Sequence, residues 1–208
     1  MATSTARSTS YSRLEADERR DLILAAARRV FVNSSPAETS TSEIAREAGV
    51  TRGLVHHYFG TKRELYVAVV ADLAAQMPDL VRTDVRDLPP DEMVDANVTS
   101  WLDSIDRDRD LWLALLGVEF VGRDPEIEAI MSAARDAAID RMVGNQAQSA
   151  QPTDELRLVL RIFLGAAEAA AREWAMHERA SREQVHAVLK GTLLAMVGQV
   201  LPTVPPAS

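Results

Sequence analysis

A short polar segment near residue 50 offers the best chemistry for recognising a nucleic acid. A hydroxyl, a guanidinium, two imidazoles and a phenol occur there within eight residues. These groups donate hydrogen bonds to phosphate oxygens and base edges. A glycine among them has no side chain, so that the protein backbone there can lie close to DNA. The candidate DNA-contacting residues are Thr51, Arg52, Gly53, His56, His57 and Tyr58. We expect this segment to contact DNA if it forms an exposed helix.

Metal binding and catalysis are poorer interpretations of the same residues. The adjacent His56 and His57 would point about 100° apart on a helix, and no further ligand stands at a suitable spacing from them. The chain has no cysteine, which excludes disulfides, thiolate metal sites and a cysteine nucleophile. It has only 4 histidines. It also has no glycine-rich phosphate loop and no nucleophile motif. The sequence therefore predicts no metal, no cofactor and no enzymatic activity.

Two short helices joined by a glycine turn would position the polar segment. Ser40 is a candidate N-cap, and Glu43 three residues later completes a capping box. Gly49 makes the turn, because glycine accepts the left-handed backbone that ends a helix, and Thr51 caps the second helix. This is the spacing of a DNA-binding helix–turn–helix. Hydroxyls at the start of the first helix are further candidates for phosphate contacts, namely Thr41 and Ser42.

The runs Ile44–Gly53 and Tyr58–Leu65 resemble the N-terminal signature of the TetR (tetracycline-repressor) family of bacterial regulators. The upstream run Ile23–Ala27 is similar to the family's first helix. The resemblance implies that Lys62 contacts a phosphate at the start of the next helix, where the helix N-terminus also favours an anion. The family usually has tyrosine at the position of His56. A histidine can still donate to a phosphate there.

Helical periodicity continues through the rest of the chain, and no segment shows strand-like alternation. Breaks at proline and glycine clusters leave about nine helices, one of them over residues 108–121. The predicted fold is therefore all-α, and two more capping boxes begin helices at Thr61–Glu64 and Ser181–Gln184. The predicted segments are a disordered tail over 1–16, a helix–turn–helix domain over 17–65, a helical effector-binding and dimerisation domain over 66–202, and a disordered tail over 203–208.

The last two predicted helices have apolar stripes that could join two copies of the chain. The stripes run from Leu156 to Trp174 and from Val185 to Leu201 at helical spacing. Two such helices per chain could form a four-helix bundle across a two-fold axis, although both stripes could instead fill the core of one chain. The family resemblance implies the homodimer. A dimer would place two recognition helices about 34–36 Å apart on a palindromic operator.

A small-molecule site is expected among the middle helices, on the strength of the resemblance. The run Leu111–Val121 is almost wholly apolar with one charge, Glu119, and a buried carboxylate needs a partner, water or a ligand. The candidate effector-binding residues are Asn97, Trp101, Trp112, Glu119, Phe120 and Trp174. The simpler interpretation of each is an ordinary core residue. Apolar walls with few charges favour a hydrophobic or aromatic effector.

Composition and charge fit a DNA-binding regulator in the cytoplasm. The net charge is −8, yet residues 1–70 carry a net +2 and the remainder carries −10, which is compatible with polyanion binding at one end. The N-terminus does not resemble a secretory signal, and no unbroken apolar run approaches the roughly 20 residues of a membrane span. We therefore expect a homodimeric repressor that a small molecule releases from its operator. Two alternatives are an enzyme and a helical small-molecule carrier with a vestigial DNA-binding domain.

Overall fold

The computed structural model describes residues 5–34, 37–107, 109, 112, 124–146 and 153–206. Within these residues it contains eight α-helices and no strand, which confirms the predicted all-α fold. The chain forms two compact units, divided between Ala71 and Asp72. This division lies a few residues beyond the domain boundary expected from the sequence.

The N-terminal unit contains three complete helices and the beginning of a fourth. They are α1 (Thr5–Asn33), α2 (Thr41–Glu47), α3 (Arg52–Phe59) and α4 (Lys62–Ala74). Each helix contributes a large, fully buried side chain, namely Ile23, Ile44, Val55 and Leu65 in chain order. Burying an aliphatic side chain of this size stabilises a fold by about 1.5–3 kcal/mol. The short helices α2 and α3 are therefore each held in the N-terminal unit by a buried aliphatic side chain.

Helix α1 begins earlier than the sequence predicts. Residues 1–16 were expected to form a disordered tail, yet the helix begins at Thr5. A stripe is needed to pack a helix but not to extend one, since propagation adds one hydrogen bond for each residue fixed. The apolar rows between residues 23 and 31 anchor α1 in the core, and the polar residues before them continue it.

The C-terminal unit is a bundle of four described helices after a short 3₁₀ turn at Met77–Leu80. They are α5 (Pro90–Arg107), α6 (Pro125–Gln146), α7 (Asp154–Ala171) and α8 (Arg182–Ala195). Both of the last helices continue into π-helical turns, at Arg172–Met176 and Met196–Val200, and a 3₁₀ turn follows at Leu201–Thr203. The predicted helix over 108–121 lies outside the described residues, except for Arg109 and Trp112.

Local caps begin several helices where the sequence predicted them. The Ser181 hydroxyl accepts from the backbone N–H of Gln184, and the Gln184 side chain accepts from the backbone N–H of Ser181. The same reciprocal pair joins Thr61 and Glu64. Such caps are each worth about 1 kcal/mol, and these two of the three predicted boxes are confirmed. At the third, the structure describes the half in which the Ser40 side chain accepts from the backbone N–H of Glu43.

Helices α7 and α8 leave part of their apolar surface exposed. Leu158 and Ile162 on α7 are 50% and 56% exposed, and Val188 on α8 is 61% exposed. The segment Arg182–Thr203 is long and apolar enough to cross a membrane, with a mean hydropathy of 1.3 in its most apolar window. Length and composition alone also fit a helix that packs against protein. The unbroken apolar runs considered in the sequence did not reveal this segment, because its few polar residues interrupt them.

Candidate nucleic-acid interface and ligand cavity

The turn between α2 and α3 has the geometry that the sequence predicts. Ser40 caps α2 by accepting from the backbone N–H of Glu43 at 3.1 Å, and Thr51 caps α3 by accepting from that of Leu54 at 3.3 Å. Gly49 has φ +67°, a left-handed conformation that favours glycine. With Val55 2% exposed at the packing face, these caps hold α3 at a fixed angle to α2.

The outer face of α3 presents most of the predicted DNA contacts to solvent. Its exposed members are Thr51, Arg52, Gly53, His56 and His57, whereas Tyr58 is half-buried. The ring of Tyr58 makes an edge contact with that of His57, with 5.3 Å between centroids. At the start of α2, Ser42 is exposed but Thr41 is only 8% exposed. The Thr41 side chain thus belongs to the packed face of the helix, and Ser42 is the exposed hydroxyl of the pair.

His56 is bonded at both ring nitrogens. Arg52 Nε lies 3.2 Å from His56 Nε2, and His56 Nδ1 lies 2.7 Å from the carbonyl oxygen of Gly60. Arg52 and His56 are four residues apart, the spacing at which helical side chains meet. A contact between Arg52 and His56 was not predicted from the sequence, although this spacing could have indicated it.

Lys62 is bound to backbone carbonyl groups of the loop before α2. Its Nζ donates to the carbonyl oxygen of Thr39 at 2.8 Å and lies 3.5 Å from that of Ala37. At the same end of α4, the Glu64 carboxylate accepts from the backbone N–H of Thr61 at 2.6 Å, which lowers the pKa of Glu64. Lys62 therefore links α4 to the start of α2 in addition to any contact with a ligand.

An apolar cavity of about 110 Å³ lies within the C-terminal unit. A single water needs roughly 10–15 Å³ by the same measure, so the space suits an organic molecule. Side chains from all four helices of the bundle line it, together with Trp112; they include Met93, Asn97, Trp101, Phe163 and Glu168. The rings of Trp101 and Trp112 meet edge to face, 6.0 Å apart.

Three of the six predicted effector residues line this cavity, namely Asn97, Trp101 and Trp112. Trp174 does not; it is 8% exposed and packs under the Arg109 guanidinium, 5.9 Å from its ring centroid. Glu119 and Phe120 lie outside the described residues. The lining residues on α7 were not predicted, because a helical stripe shows which face is apolar but not whether that face meets a void.

The acidic group at the cavity wall is paired. Glu168 Oε1 accepts from Arg135 Nε of α6 at 2.9 Å. The hydrogen bond to Glu168 raises the pKa of Arg135, and the side chains of the pair are only 22% and 21% exposed. Among the described cavity-lining residues none is cationic. The described wall is thus apolar, with two asparagines and one neutralised carboxylate.

The asparagines of the cavity wall also hold the segment before α5. Asn97 Oδ1 accepts from the backbone N–H of Arg82 at 2.8 Å, and Asn145 Nδ2 donates to the carbonyl oxygen of the same residue at 2.7 Å. Asn145 is 7% exposed. A buried amide of this kind needs its hydrogen bonds satisfied, and the backbone of Arg82 provides one partner to each.

Both units match models of one protein family. Residues 23–69 match the model described as bacterial regulatory proteins of the tetR family, and residues 90–196, more than half of the chain, match the tetracyclin repressor-like C-terminal domain. The chain belongs to the TetR family. TetR-family proteins are transcriptional regulators and not enzymes. They bind operator DNA, form dimers and bind small molecules.

Curated relatives of this TetR-family chain are helix–turn–helix regulators. The transcriptional activator FasR of Mycolicibacterium smegmatis is 30% identical over 130 residues, which are 62% of this chain and 59% of FasR. The regulator BetI of Rhizobium meliloti is 41% identical over 61 residues, which are 29% of this chain and 30% of BetI. The chain thus aligns with less than two thirds of the length of either relative.

Solved structures support the same fold along most of the chain. A tetR-family regulator from Streptomyces coelicolor is 28% identical, with a TM-score of 0.77 over 90% of this chain and 83% of that one. FadR of Thermus thermophilus, solved with lauroyl-CoA, is 23% identical with a TM-score of 0.63, covering 91% of this chain and 98% of FadR. At that identity the likeness to FadR concerns the fold alone.

Proposed function

We propose that this TetR-family regulator is a cytoplasmic, homodimeric repressor that binds a palindromic operator and is released by a hydrophobic or aromatic small molecule. The observation that carries the DNA-binding part is the capped, rigidly packed helix α3 with its exposed polar face. Arg52 would contact base edges, since a guanidinium pairs with two acceptors of guanine. Contacts with phosphates would come from Ser42, Thr51, His57 and Lys62.

The proposed dimer forms through α7 and α8. Exposed positions on α7 include Leu158, Ile162 and Gly165, and those on α8 include Val188 and Gly191. On each helix they follow the three-to-four residue spacing of a single face, and the small residues permit close approach of a partner helix. An exposed apolar face that continues over two helices is unfavourable in water and favours a protein partner. The same face accounts for the apolarity of the segment Arg182–Thr203.

The proposed effector occupies the cavity beside Trp101 and Trp112. A neutral, apolar molecule suits the described wall because the Glu168 carboxylate is already paired with Arg135. Release from DNA requires that the effector bind more tightly to the state that cannot bind DNA. Binding of the apolar aromatic dye N-phenyl-1-naphthylamine should change the emission of the two cavity tryptophans and lower the affinity for DNA.

The experiment that tests DNA recognition is a selection of bound fragments from a random DNA pool at low and moderate salt. Enrichment of a palindrome, bound more weakly as salt rises, supports the proposal. Arg52→Ala should lose the preference for one base pair in each half-site. Arg86→Ala, which removes an exposed arginine of the C-terminal unit, is the matched control and should select the same palindrome.

If the wild-type dimer enriches no palindrome, the selection should be repeated once. The protein would be refolded from denaturant to remove any copurified ligand, and the selection repeated. A palindrome found after refolding supports effector release. A second blank favours the alternative of a helical carrier with a vestigial DNA-binding domain.

A further inference from the structure

The two hydrogen bonds of His56 give its ring nitrogens opposite roles. Arg52 Nε is always protonated and can only donate, so His56 Nε2 must accept from it. The carbonyl oxygen of Gly60 can only accept, so His56 Nδ1 must carry a proton and donate to it. The ring therefore accepts at Nε2 and donates at Nδ1, and both of its nitrogens are engaged within the N-terminal unit.

We propose that His56 is a positioning residue for Arg52, and that its role in sequence recognition is to orient the guanidinium and not to contact a phosphate. This inference rests on the proposed function, in which Arg52 contacts a base. The chain of bonds runs from Arg52 through the His56 ring to Gly60, at the C-terminus of α3. It ties the flexible arginine to a backbone group that the α3–α4 turn holds in place.

The geometry leaves the part of Arg52 that recognises bases free. Only Nε is bonded to His56, so the two terminal NH₂ groups of the guanidinium remain available. Those groups provide the fork that pairs with O6 and N7 of guanine. A long arginine side chain loses rotamer freedom when it is immobilised on binding. If His56 already holds the Arg52 side chain in the free protein, less entropy is lost on binding DNA. The gain applies only to the base that fits the fixed orientation of the guanidinium.

The Gly60 end of this chain is itself held in place. Gly60 has φ +68°, and an added Cβ would lie 2.4 Å from the Glu64 carboxylate that caps Thr61. The carbonyl group that accepts from His56 therefore belongs to a tight turn stabilised by the Thr61–Glu64 capping box. A phosphate contact by His56 would require one of its two nitrogens to give up its present partner.

The test compares base discrimination by wild type, His56→Ala and His56→Gln on the selected palindrome. The dissociation constant is measured for the palindrome and for versions with each half-site base pair changed. Arg52→Ala first identifies the base pair that Arg52 recognises. His56→Ala should then reduce discrimination at that same base pair by about three- to tenfold, the size expected when one long side chain must be immobilised.

Two further measurements separate positioning from other roles. The slope of affinity against salt concentration should be unchanged in His56→Ala, because no phosphate contact is lost. His56→Gln should retain most of the discrimination, since its amide can accept from Arg52 and donate to Gly60. If His56→Ala folds poorly, the base discrimination of His56→Gln still tests the proposal.

Several outcomes would overturn the inference. If His56→Ala lowered the affinity equally for the palindrome and for all its base-pair variants, with a shallower salt slope, His56 would be a phosphate contact. Wild-type discrimination in His56→Ala would show that Arg52 needs no positioning. A wild-type protein that selects no sequence removes the proposed function itself, whereas the first two outcomes leave that function standing.

Discussion

The Nζ atom of Lys62 lies 2.8 Å from the carbonyl oxygen of Thr39. This bond joins the first residue of α4 to the loop before α2, although the two residues are 23 positions apart. The family resemblance assigns the same lysine to a phosphate contact. An ammonium group has three N–H donors, so one can bond Thr39 while another reaches a phosphate. The position of α2 and the contact with DNA would then depend on a single charge.

Lys62→Met should weaken operator binding by about tenfold and lower the salt slope by about 0.9 per half-site, since one phosphate contact is lost. Methionine keeps much of the side-chain volume but removes the charge. The measurement is the operator dissociation constant across a salt series, with Arg86→Met as the control for loss of charge elsewhere. A weaker complex with an unchanged slope would mean that Lys62 acts only through Thr39.

Gly53→Ala should stabilise the N-terminal unit by up to about 1 kcal/mol, because alanine is the better helix former. The structure leaves room for the methyl group, since an added Cβ meets only Thr51 Oγ1 at 4.0 Å. Operator affinity should nevertheless fall, because the methyl group enters the space between α3 and DNA. Thermal unfolding and DNA binding measured on the same sample check both effects. Unchanged affinity would place DNA away from this part of α3.

Ile162→Glu should convert the proposed dimer into a monomer. The substitution places a charge on an exposed apolar side chain in the middle of the proposed interface, and burying an unpaired carboxylate is costly. Sedimentation equilibrium measures the change. Leu88→Glu is the matched control, because Leu88 is also apolar and 42% exposed but lies outside α7 and α8. A dimeric Ile162→Glu protein would require a different interface.

The N-terminal unit should lose stability in alkali through Tyr66. Burial raises the pKa of this phenol to about 12, while an unfolded tyrosine ionises near pH 10. The stability that this group contributes is therefore present below pH 10 and is lost as the pH rises towards 12, at roughly 1.4 kcal/mol per pH unit. Tyr66→Phe should remove this component from the alkaline unfolding curve. Identical slopes for the two proteins would show that the phenol ionises without unfolding.

The sequence predicted the features that depend on near neighbours. The caps at Ser40, Thr51 and Ser181 join residues three apart, so the residue types alone reveal them. The Arg135–Glu168 pair joins two helices, and its partners are 33 positions apart. Its identity depends on how α6 and α7 pack, which no local pattern encodes.

The depth of a side chain was equally hard to predict. Trp101 and Trp174 look alike as aromatic residues on apolar helices, yet the first lines the cavity and the second packs under Arg109. Thr41 resembled Ser42, but only Ser42 is exposed. Whether a helical face meets solvent, a neighbouring helix or a void depends on tertiary packing.

Asn97 and Asn145 bind the two polar groups of one residue, the N–H and the carbonyl oxygen of Arg82. Arg82 therefore acts as a spacer of fixed length between α5 and α6, the two helices that carry the asparagines. Hydrogen bonds of this kind tolerate only a few tenths of an ångström before they weaken. If α5 and α6 separate, either a bond must break or the backbone around Arg82 must move with one of them. A molecule wide enough to separate these helices would thus change the path of the chain between α4 and α5.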